Sequence, residues 1–171
     1  MLLLNVLLAS LVYGQSPQAV LEREQYLEAT AVVSEPDGIA RLECWKFNTP
    51  LHQYPTVGSA LYLADTTNVT YVVLPPRSGE GLHKPPHPML FILLSGLAHV
   101  TLPHGEDEAW IMEGVNGLVV ATDVTGVGHY TEYPSDKETV ALQLPFLNRI
   151  VPGHEKCDKN QTPSGFHAGN S

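Results

Sequence analysis

From residue 40 onward, apolar and polar positions alternate in short stretches cut by glycine and proline. Ala40 to Phe47 alternates with a period of two, as expected of a strand with one buried face. Residues 57–63 and 69–74 are rich in β-branched and aromatic side chains and predict two more strands. Met89 to Leu94 is the most apolar stretch after the N-terminus. Ser95-Gly96 ends it and Leu97 to Leu102 follows, which predicts a hairpin with a tight turn. Further strands are expected at 108–112, 117–122, 128–133 and 138–144. Glu35 to Gly38 reads as a turn, and Pro75 to Gly81 as a loop. Residues 16–30 suit a short helix or a linker. The polar stretch from Pro152 to Ser171 is expected to be loosely ordered. Many short strands without a long helix imply an all-β sandwich or barrel. Both faces of 89–94 are apolar, so its outer face calls for a covering layer or a second subunit, and in the second case would suit a homodimer.

Composition narrows the picture. A chain of 171 residues suits one domain, and 14 Gly with 14 Pro fit strands joined by turns. Only nine Lys and Arg stand against a net charge of −9, so no nucleic-acid partner is expected. The apolar run from Met1 to Gly14 is too short to span a bilayer, but fits the core of a secretory signal. No later segment is long enough to cross a membrane. Secretion agrees with two glycosylation sequons, at Asn68 and Asn160, the second followed by Pro163. Cys44 and Cys157 are then either a disulfide or two unrelated thiols. The expected layout is a leader over 1–14, an N-terminal segment over 15–34, the β domain over 35–146 and a tail over 147–171.

Eight histidines offer the main candidate chemistry. In an extended segment His83 and His87 share one face, since alternate side chains point the same way. His129 lies where a glycine-containing turn enters a strand. Asp123 and Thr125 read as turn-shaping residues that bond the backbone, and Gly126 and Gly128 as sources of backbone freedom. Phe91 and Leu93 are expected to line the interior, and Tyr133 shares the face of His129. His52, His99, His104, His154 and His167 have no partners at meaningful spacing and read as surface or structural.

Three segments, in order and at matching separations, carry a family resemblance: His83-Lys-Pro-Pro86, Leu94-Ser-Gly96 and Asp123-Val-Thr-Gly-Val-Gly-His129. Together they resemble the two motifs of small cupins over about residues 35–146. The resemblance implies a single-domain cupin-type jelly-roll β-barrel with a histidine-lined pocket, flanked by the short leader and the polar tail. Pro85 occupies the family's second histidine position, and Met89 or Leu90 the glutamate position. A substitute set of His83, His87 and His129 would suit a divalent ion such as Zn, Fe or Mn. The implied activity is small-molecule tailoring on a carbonyl-bearing, polyketide-like substrate. With the glutamate missing, lyase or isomerase proton transfer by His83 and His129 is favoured over oxygen activation, with Phe91, Leu93 and Tyr133 against the substrate. The alternative is a non-catalytic binding protein that keeps only the cavity.

Overall fold

The computed structural model describes residues 24–158 and 166–167. The expected leader and Asn160 lie outside them. The strands run in chain order as β1 (Tyr26–Ser34), β2 (Ala40–Pro50), β3 (His52–Gln53), β4 (Ser59–Ala60), β5 (Thr70–Leu74), β6 (Ser78–His83), β7 (Met89–Ser95), β8 (Leu97–Thr101), β9 (Glu108–Met112), β10 (Leu118–Ala121), β11 (His129–Tyr133), β12 (Thr139–Pro145), β13 (His154–Lys156) and β14 (Phe166–His167). A single 3-10 turn covers Leu147–Arg149. The described chain is therefore all-β.

Seven strands form one sheet in the order β13-β2-β1-β10-β7-β12-β5, and five form another in the order β14-β9-β8-β11-β6. The main core lies between them. Val32, Leu42, Leu93 and Val119 of the larger sheet meet Val100, Ile111 and Tyr133 of the smaller. Period-two alternation explains how each strand feeds this layer. In β11, His129, Thr131 and Tyr133 are buried while Tyr130 and Glu132 point out.

The outer face of β7 is covered by the chain itself at Leu90 and Ile92, while Leu94 stays exposed. Leu90 and Ile92 pack in a second core with Val120, Trp45 and Phe47, under Leu61, Leu63, Phe146 and Val151 from irregular segments. These segments supply the covering layer over Leu90 and Ile92. The hairpin expected at Ser95-Gly96 is not formed: β7 pairs within the larger sheet and β8 within the smaller, so this turn carries the chain from one sheet to the other, with Gly96 at φ +94° and a Cβ there 2.4 Å from the Thr139 side chain.

Four further expectations are corrected. Tyr26–Ser34 is neither helix nor linker but a strand between β2 and β10, so the β domain starts before residue 35. Its burial and ladder bonds override a polar start that reads as a linker. Only Ser59–Ala60 of the stretch 57–63 is a strand. The loop expected over 75–81 gives way at Ser78 to β6, whose glycines are accommodated at a sheet edge. The tail is pinned at its start, because β13 pairs with β2 and Cys157 is disulfide-bonded to Cys44 across a Cα separation of 5.3 Å.

Candidate functional site

The site forms where β6 and β11 pair at the edge of the smaller sheet. Their register sets His83 directly opposite His129. The two rings stand 4.4 Å apart between centroids, tilted by 59°. Gly128 permits this approach, since at φ +85° it lies so close to β6 that a Cβ would sit 2.2 Å from the His83 carbonyl oxygen.

A β-bulge adds a third group. Thr131 pairs with Gly81 and the next residue, Glu132, pairs with Gly79, which leaves Glu80 as an extra residue in β6. Gly81 takes φ +67° at this point. A bulge re-aims the side chain it carries, and here Glu80 turns to the same cavity as His83. One Glu80 oxygen accepts the hydroxyl of Tyr133, and the other lies 3.4 Å from His83 Nε2. His83 Nδ1 faces the Gly81 carbonyl at 3.0 Å. Both ring nitrogens of His83 thus face acceptors, and Glu80 links the imidazole to the phenol. Burial, then the bond to Glu80, pushes the Tyr133 hydroxyl far above the ordinary tyrosine range, so it stays a phenol.

Asp123 anchors the other imidazole. The turn carries it back to His129, where its Oδ2 lies 2.6 Å from Nδ1. Asp123 is fully buried, and its Oδ1 has no hydrogen-bond partner among the described residues. This corrects the expectation that Asp123 bonds the backbone. A carboxylate on Nδ1 holds the hydrogen there and leaves the Nε2 lone pair free.

The cavity measures about 130 Å³. Glu80, His83, His129, Thr131 and Tyr133 line one side, Met89, Phe91, Val119 and Ala121 the other, and Lys84 with Pro85 and Pro86 also border it. The structure thus brings together His83, His129, Phe91 and Tyr133. It does not bring in His87 or Leu93. After His83 the chain bends through the prolines instead of staying extended, so His87 Nδ1 meets the Arg149 guanidinium at 3.2 Å on the surface. Leu93 is packed in the core beside the cavity without lining it. Of the other histidines, His99 stacks on Trp110 and bonds Glu108, and His154 stacks on Trp45. Asn68 is exposed just before β5.

The three-histidine metal set is not assembled, because its third donor faces away. Among the described residues the one convergent trio of donors is Glu28, Cys44 and Cys157, whose sulfurs are already joined to each other. No helix among the described residues is long and apolar enough to cross a membrane. Compared with protein-family models and with curated proteins, the chain matches none.

Proposed function

We propose that the protein is an exported enzyme with a cupin-type jelly-roll fold that moves a proton on a small carbonyl compound, in a lyase or isomerase reaction. The observation that carries this reading is the Asp123–His129 pair facing His83 across 4.4 Å inside an otherwise largely apolar cavity. Proton transfer needs a base of fixed tautomer and an acid within reach of the same substrate atom. His129 supplies the base at Nε2, with Asp123 holding Nδ1–H. His83, bridged by Glu80 to Tyr133, supplies the returning proton. Phe91, Met89 and Val119 orient the apolar body of the substrate and keep water out. No step passes through a metal, since the donors that would hold one do not converge. Export is supported by the Cys44–Cys157 bond, which persists in oxidising compartments, and by the exposed sequon at Asn68.

The test is α-hydrogen exchange. Small ketones are incubated with the protein in D2O and deuterium uptake is followed by proton NMR. Wild type is expected to accelerate exchange, and His129→Ala to lower it by about 10²- to 10⁴-fold. Equal exchange by the two proteins overturns the reading.

A further inference from the structure

Gln143 is the one polar side chain that the larger sheet contributes to the cavity, among the described residues. Its direction follows from alternation in β12. Ala141, two residues earlier, belongs to the core between the sheets, whereas Leu144 belongs to the outer core, so Gln143 faces inward. It pairs across the strands with Phe91, and Phe91 with Val119, both cavity-lining and apolar. Its carboxamide makes no hydrogen bond to any described residue, yet neither amide atom is sealed from the cavity. By contrast, the carboxylate of Glu80 is occupied, and Lys84 donates to the Gly126 carbonyl at 3.1 Å.

An amide in an apolar wall that stays open to the cavity is free to exchange water for a ligand of matching polarity, and it disfavours a ligand that leaves it unpaired. We infer that Gln143 is a specificity-determining residue whose Nε2 hydrogens bind the carbonyl oxygen of the substrate. The inference rests on the proton-transfer reading and gives the substrate its orientation. The carbonyl oxygen faces β12, and the carbon beside it faces His129 and His83 on the opposite sheet. When His129 takes a proton from that carbon, the electron pair of the broken C–H bond moves to the oxygen. Gln143 then donates to an enolate, where its bond strengthens. The proton returns from His83 or His129 to carbon, and no oxidant or reductant is needed.

Two probes of equal shape test this, cyclohexanone and methylenecyclohexane, in which the oxygen is replaced by CH2. Each is titrated into the full chain by NMR, and the Gln143 side-chain amide signal is followed. Wild type is expected to bind the ketone about tenfold more tightly, with the amide signal shifting on ketone addition only. Gln143→Leu, an apolar replacement on an apolar wall, is expected to bind both equally. His129→Ala is expected to keep the preference for the ketone while losing exchange. A preference that survives Gln143→Leu, an amide signal that does not move, or failure of both probes to bind overturns the assignment of Gln143. Ketone preference without any α-hydrogen exchange in wild type upholds Gln143 and removes the proton-transfer reading instead.

Discussion

At the scale of single residues, the account depends on which nitrogen of His129 carries hydrogen. Asp123 accepts from Nδ1–H, so Asp123→Asn reverses the bond: the new amide donates to Nδ1 and drives the hydrogen to Nε2. The cavity then loses its base while the packing is unchanged. We expect α-hydrogen exchange to fall by about 10²- to 10⁴-fold. The ¹⁵N shifts of the His129 ring should report the tautomer change, which a merely structural Asp123 would not produce. Tyr133 makes a separate prediction. Its phenol is held neutral in the fold, whereas in the unfolded chain it ionises near the ordinary value of 10. Its contribution to stability is complete below pH 10 and declines as pH rises past 10, by about 1.4 kcal/mol per unit. In urea titrations at pH 9 to 11, Tyr133→Phe should lose less stability with pH than wild type.

At the scale of elements, the β6–β11 pairing positions the site, and Gly128 permits it. Gly128→Ala combines a positive φ with a Cβ 2.2 Å from the His83 carbonyl oxygen. It is expected to cost at least about 2 kcal/mol and to abolish the cross-strand NOE between the His83 and His129 rings. An unchanged NOE and melting point would contradict that role. Phe146, nearly fully buried under β7, is expected to cost about 3–5 kcal/mol on replacement by alanine, read from denaturant midpoints. Much of this level was legible in the sequence. The apolar run at 89–94 and the alternation in β11 predict their strands, and the glycine-containing turn points to His129. Glu80 was hidden because its Pro- and Gly-rich surroundings read as loop, although a carboxylate between Gly79 and Gly81 suits a bulge. His87 was misplaced because Pro85, Pro86 and Pro88 bend a segment taken as extended. Asp123 read as a turn residue, since only three-dimensional closure of the turn brings it back to the ring six positions on.

At the scale of the whole molecule, two sheets enclose the core and the cavity, and one covalent link ties the segment just after β13 to β2. The Cys44–Cys157 bond closes a loop of 113 residues and fastens β13 against β2. Chain-entropy arguments give such a link about 2–5 kcal/mol. The double variant Cys44→Ser, Cys157→Ser should therefore show a lower urea midpoint under oxidising conditions, and equal midpoints would contradict the structural role. The covering of β7 by residues 61–64 and 146–151 was not visible in the sequence, where the same apolar pattern serves a partner subunit as well as an added layer. The central claim is that His83 and His129, far apart in sequence, act in one cavity. It is tested most directly by following the ¹⁵N and ¹H signals of both rings while cyclohexanone is added. The account predicts that both respond along one saturation curve, with His129 hydrogen-bearing at Nδ1. Movement of a single ring, or two curves with different midpoints, would contradict it.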